Sequence, residues 1–317
     1  MSGKEISTQD RNSAVGVFYG AIAYTIWGLL PIYWKLLKEI PSDELLAHRI
    51  FWAFIFSGVL FLWKKGIGVL KEAIKDGEDV RNILLCSFLI TINWGTYIWA
   101  VNSDKILQSS MGYFINPLMV ILLGRAILKE KLNIFQYISI GFAAIGVIIM
   151  TVQYGSIPWV SLLLAASFAL YGLFKKLLKV ESLTGLVLET AAIMPLALGY
   201  ILFKLFSGQS AIYSVSIPTL LMLVCSGIVT ALPLLWFAMG ATRVKLSTMG
   251  VLQYISPTIS LFIGIFMYGE KFTDTHLLSF SFIWVGLIIY TFSNIEAISK
   301  FRNSFQANPD KSKDDGF

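Results

Sequence analysis

The chain has 317 residues, of which 56% are hydrophobic and only 14% charged. Soluble domains average about 45–50% apolar and about 25% charged residues, so this balance excludes a water-soluble globule and requires a bilayer as solvent. The net charge of +6 then belongs to cytoplasmic loops rather than to a nucleic-acid surface, and nucleic acid is not expected as a partner.

Met1–Ser13 is polar. The apolar run behind it is too long for a signal-peptide core, so it reads as a retained first span. Ten apolar segments follow: Ala14–Trp34, Glu44–Trp63, Asn82–Val101, Ile106–Leu128, Ile134–Gln153, Pro158–Phe174, Leu183–Phe203, Ile217–Met239, Leu246–Tyr268 and His276–Ile295. Each approaches the roughly 20 residues a spanning helix needs, and none shows the strict alternation of a barrel strand of about 10 residues. The predicted fold is an all-α membrane protein of about ten transmembrane helices. Residues 1–13 form a cytoplasmic tail, 14–153 a first five-helix unit, 154–295 a second, and 296–317 a polar cytoplasmic tail expected to be disordered.

Pro31, Pro117, Pro195, Pro233 and Pro257 fall within spans. Membrane helices tolerate proline where neighbours or water satisfy the freed carbonyl. Cys86 and Cys225 both lie in apolar runs and read as buried, inert thiols, while His48 and His276 stand apart from each other and from both cysteines. No metal site and no cofactor motif is legible. With the N-terminus inside, the outside segments hold only Lys35, Lys38, Lys105, Lys204 and Lys271, and nearly every other Lys and Arg is cytoplasmic. Positive loops stay inside, so both termini are expected there.

The chain also repeats itself. Displaced by 140 residues, Ile115, Pro117, Gly124, Glu130, Lys131, Ser139 and Gly146 fall on Ile255, Pro257, Gly264, Glu270, Lys271, Ser279 and Gly286. Upstream, Met111-Gly112 matches Met249-Gly250, and Trp27-Gly28 resembles Tyr171-Gly172. The repeat covers about five spans, and an odd number places the two copies upside-down relative to each other. Inverted repeats put a binding site near the midplane and permit alternating access.

A five-helix unit ending in proline, twelve residues, Glu-Lys, then a Gly-Val-Ile-Ile or Gly-Leu-Ile-Ile run resembles the EamA repeat of the drug/metabolite transporter superfamily. Asp43-Glu44 through His48-Arg49, Gly112-Tyr113-Phe114-Ile115-Asn116-Pro117 and Tyr268-Gly269-Glu270-Lys271 are similar to the RarD-type branch of that family. The resemblance runs from about Val15 to Asn294. It implies a ten-helix permease; RarD-type members carry a chloramphenicol-sensitivity label, which does not establish a substrate.

Arg49 lies about 7–8 Å into the second span, at 1.5 Å per residue. An arginine inside a membrane costs at least about 2.5–3.5 kcal/mol, which an anionic substrate, a charge partner or snorkelling to the interface must offset. Glu189 lies about 9 Å into the seventh span, the counterpart of the second, measured from the opposite membrane face. The two are therefore expected as separate polar stations on one path; the alternative for Glu189 is a bond to backbone or hydroxyl. Asn93, Asn116 and Gln253 are uncharged polar groups that line the path or join helices. Trp27, Tyr113, Tyr171 and Tyr254 either stack on a ligand or pack. Glu130-Lys131 and Glu270-Lys271 read as structural helix ends, with Pro117 and Pro257 as kinks.

No H-E-x-x-H, G-x-S-x-G or Walker sequence occurs, so the chain does not read as an enzyme and carries no ATPase. The expected function is a secondary transporter moving a small organic metabolite or drug by efflux or exchange, driven by a proton or a counter-substrate. A channel and a non-transporting ligand sensor are the alternatives, and a homodimer is left open.

Overall fold

The computed structural model of the protein describes residues 8–65, 68–102, 106–155, 159–269 and 273–306. Its helices are α1 (Thr8–Leu36), α2 (Ser42–Lys64), α3 (Gly68–Ala73), α4 (Gly77–Asn102), α5 (Ile106–Ala126), α6 (Ile134–Tyr154), α7 (Trp159–Leu177), α8 (Ser182–Phe206), α9 (Ile217–Ala241), α10 (Leu246–Leu252), α11 (Ile255–Tyr268) and α12 (Asp274–Gln306). There is no strand among the described residues. Eight stretches are long and apolar enough to cross a membrane, with α10 and α11 together forming one of them; Gly112–Ala126 of α5 is a shorter apolar helix. The 26-residue α4 completes the ten. Large apolar side chains cover the outside, including Leu196 (74% exposed) and Phe206 (87%) on α8. Hydrocarbon is the solvent that such a surface requires, and this is a multi-pass membrane protein.

Two compact units form. The larger contains residues 1–130 and 157–271. Within it, α1 packs on α9, α10 and α11, and its counterpart α7 packs on α4 and α5. Helix α2 packs on α9 as α8 packs on α4, while α2 meets α8 directly and α5 meets α10. Each of these contacts reappears when the two halves of the sequence are exchanged, which is what a duplicated and inverted five-helix unit produces. Close approach relies on small residues. A Cβ on Gly227 would fall on the Trp52 backbone, so α2 and α9 touch main chain to main chain.

The smaller unit, residues 131–156 and 272–317, is built on α6 and α12. Ser139 Oγ donates to the Gly286 carbonyl at 2.6 Å, and a Cβ on Gly146 would meet the Ser279 carbonyl. These serines and glycines are the residues paired by the 140-residue displacement. They pair head to tail, so α6 and α12 run antiparallel. Asn133 and Gln136 form a capping box at the start of α6.

The structure adds one detail to span nine and differs from the expectations at the end of α12 and at Cys225. Span nine is broken into α10 and α11 around Gln253 and Tyr254. Pro257 therefore sits in the first turn of α11, where its missing N–H breaks no bond. The Gln253 carbonyl it would have served accepts from Ser256 N at 3.2 Å. Helix α12 runs on to Gln306 rather than ending in a tail at residue 296; Ile295, Ile298, Phe301 and Phe305 recur there at helical spacing. Cys225 is exposed on the apolar exterior, and only Cys86 is buried.

Candidate functional site

The site lies within the larger unit. Arg49 and Glu189 each follow the first residue of their helix, Ser42 of α2 and Ser182 of α8, by seven positions. They are thus equivalent residues of the two copies, near opposite ends of a helix pair in direct contact. Their surroundings differ.

The Arg49 guanidinium lies over the Trp94 ring, 4.4 Å from its centroid, and 4.9 Å from that of Trp34. Its Nε is buried without a hydrogen-bond partner. Among the described residues no carboxylate approaches within 4.0 Å. Glu44, the acid nearest to Arg49 along α2, is committed elsewhere: it accepts from Ser210 Oγ at 2.5 Å and from Ala211 N at 3.0 Å. Tyr97 and Tyr113 lie within electrostatic range of Arg49, with their rings 6.2 Å apart. Trp34 and Tyr97 close α1 and α4, while Arg49 and Tyr113 open α2 and α5, so the cluster gathers the same ends of four helices. Pro117, one turn further along α5, has no N–H to bond back to the Tyr113 carbonyl.

Glu189 is paired. Lys175 Nζ donates to its Oε1 at 2.6 Å, with the side chains only 1% and 3% exposed. Tyr171 donates to Oε2 at 3.4 Å. The expectation that Glu189 bonds to backbone or hydroxyl is incomplete, because it omits Lys175. The sequence places that lysine in a cytoplasmic loop, but α7 continues past Phe174 and buries it. Its spacing of four from Tyr171 places both on one helical face, which was the available signal.

Trp94 joins the stations. It lies under Arg49 and also lines a small cavity with Ile50, Ala53, Tyr171, Glu189 and Thr190. At the other end, a depression of about 740 Å³ is bordered by Asn12, Leu178, Glu181 and Arg243. Leu178 also flanks Gly185, where an added Cβ would stand 3.8 Å from both Glu189 Oε1 and Lys175 Nζ. The depression therefore ends one side chain away from the ion pair. Exposed ion pairs bind the loops here: Lys65 to Glu181 at 2.9 Å, and Lys179 to Glu78 and Asp76 at 3.2 and 3.5 Å. The Glu78 amide and Lys179 hold the Asp76 carboxyl below its ordinary value.

The remaining candidates are placed as follows. Asn93 donates to the Leu164 carbonyl at 2.9 Å and to Ser167 Oγ at 3.0 Å, and Asn116 donates to the Ala165 carbonyl at 2.6 Å. Both asparagines thus fasten their helices to α7. The Asn116 and Gln253 side-chain oxygens are buried without partners. Tyr254 donates to the Phe114 carbonyl at 3.4 Å. Trp27 belongs to an aromatic cluster with Tyr24, Phe168 and Phe237, and Tyr171 stacks on Phe237 with centroids 5.8 Å apart. Glu130 receives Leu246 N at 2.6 Å, Ser247 N at 3.0 Å and Ser247 Oγ at 2.7 Å, capping α10 from the segment between α5 and α6. Lys131 is exposed. Glu270 and Lys271 lie outside the described residues.

An inverted duplication of a membrane helical bundle is an architecture of membrane transporters. Residues 14–152 match the model of the EamA-like transporter family. The chain is 48% identical to the uncharacterized transporter YojE of Bacillus subtilis over 91% of this chain and 97% of that protein. It is 39% identical to protein RarD of Escherichia coli (88% and 95% covered) and 37% identical to protein RarD of Streptomyces exfoliatus (94% and 95%). The chain belongs to the EamA family and is of the RarD type. One crystal structure, 18% identical, shares the fold with a TM-score of 0.66 over 87% of this chain and 97% of its own.

Proposed function

We propose that the protein is a secondary carrier of a small organic metabolite, working by alternating access in the bacterial inner membrane with both termini cytoplasmic. The observation that carries this reading is the equivalence of Arg49 and Glu189. Two copies of one unit hold a charged residue at the same position, near opposite membrane faces, with a small cavity between Arg49's support Trp94 and Glu189. A path whose two ends are made by inverted copies can exchange its open and closed ends by rocking. No ATPase sequence is present, so a gradient of ion or counter-substrate supplies the energy.

Metabolite profiling inside and outside a deletion strain and an overexpressing strain tests the reading first. The metabolite whose distribution responds is then offered to the purified protein in liposomes. A carrier gives saturable uptake that preloaded substrate accelerates. Flux linear with concentration and indifferent to preloading refutes the carrier and favours a channel; binding without flux favours a sensor.

A further inference from the structure

We infer that the cargo is a small monoanion, a carboxylate on a flat apolar body, which binds at Arg49, and that the protein exchanges one such anion for another rather than returning empty. The inference rests on the carrier reading above.

Charge accounting leads to it. Of the two equivalent stations, Glu189 is already neutralised by Lys175 at 2.6 Å. Arg49 has no acid within reach among the described residues, and Glu44 is held by Ser210 and Ala211. Among the described residues Arg49 is therefore a positive charge on the path with no acid beside it. The guanidinium presents its face to Trp94 and Trp34. Stacking leaves the N–H edge available, and that planar fork matches the two oxygens of a carboxylate. The aromatic surroundings, Trp34, Trp94, Tyr97 and Tyr113, suit a flat apolar body beside the charge. A neutral cargo would leave the arginine unpaired, a cation would add to its charge, and a dianion would reverse it.

The same charge sets the transport cycle. An unpaired ion in a dehydrated path is costly, and a bound monoanion removes that cost. The loaded protein can therefore pass through its occluded form far more readily than the empty one, so anion for anion is the fast mode.

Mandelate is the probe, with mandelamide as its neutral isostere. Trp34 and Trp94 report binding by fluorescence, and liposomes loaded with or without mandelate report flux. The expected result is a saturable fluorescence change with mandelate below about 10 mM, within reach of a weak contact, and a much smaller one with mandelamide. Arg49→Gln abolishes the change, and Arg49→Lys retains part of it by keeping the charge. Internal mandelate accelerates uptake about tenfold or more, a barrier difference of about 1.4 kcal/mol or more. No mandelate response, or an equal response to mandelamide, overturns the anion site even if Arg49→Gln fails to fold. Saturable uptake that internal mandelate does not accelerate overturns the exchange. Mandelate binding with no flux in either loading condition leaves the anion site standing and instead defeats the carrier reading.

Discussion

Removing one member of the Lys175–Glu189 pair should damage the protein more than removing both. At 2.6 Å and an effective dielectric of about 20, the attraction is about 6 kcal/mol. Desolvating the two ions costs several kcal/mol each, so the intact pair contributes little net stability. Taking away one partner is different, because the other charge stays buried alone at about 3–5 kcal/mol. Glu189→Leu and Lys175→Met should each lower the melting temperature in detergent by several degrees. The double variant Lys175→Met/Glu189→Leu should return to within about 1 kcal/mol of the parent, since apolar groups of similar volume replace both ions. Unfolding followed by thiol-reactive or intrinsic fluorescence, with a double-variant cycle, measures this. Single variants as stable as the parent, or a double variant no better than the singles, would refute the reasoning. Transport by the stable double variant then separates roles: wild-type flux makes the pair scaffolding, and lost flux makes it a station on the path.

Glu130→Ala should remove three hydrogen bonds at the start of α10 and cost about 1.5–3 kcal/mol, with Glu130→Gln between it and the parent in thermal unfolding. Gly227→Ala should force α2 and α9 apart, because the new methyl meets the Trp52 backbone; the expected loss is about 1–3 kcal/mol or more, visible as poor monodispersity on size exclusion. A small maleimide should modify Cys225 in folded, detergent-solubilised protein and reach Cys86 only after denaturation; equal labelling of both would contradict the packing of α4 against α7 and α8.

Composition and internal repetition alone establish the solvent, the number of spans and the duplication. Each follows from local composition or from comparing the chain with itself, and neither requires knowing which helices touch. The sequence also marks Arg49 and Glu189, because a charge inside an apolar run is conspicuous wherever the run packs. Tertiary structure decided what each polar group meets. Lys175 looks like a loop lysine beside Lys176 until α8 places Glu189 opposite it. Which carbonyls Asn93 and Asn116 bond to is set only when α7 packs against α4 and α5. Cys225 sits in a run as apolar as that of Cys86, yet one faces outward and the other inward. In a bilayer both faces of a helix are apolar, so hydrophobicity no longer tells inside from outside. That distinction is made by packing between residues far apart in the chain, and it leaves Arg49 with no acid within reach among the described residues.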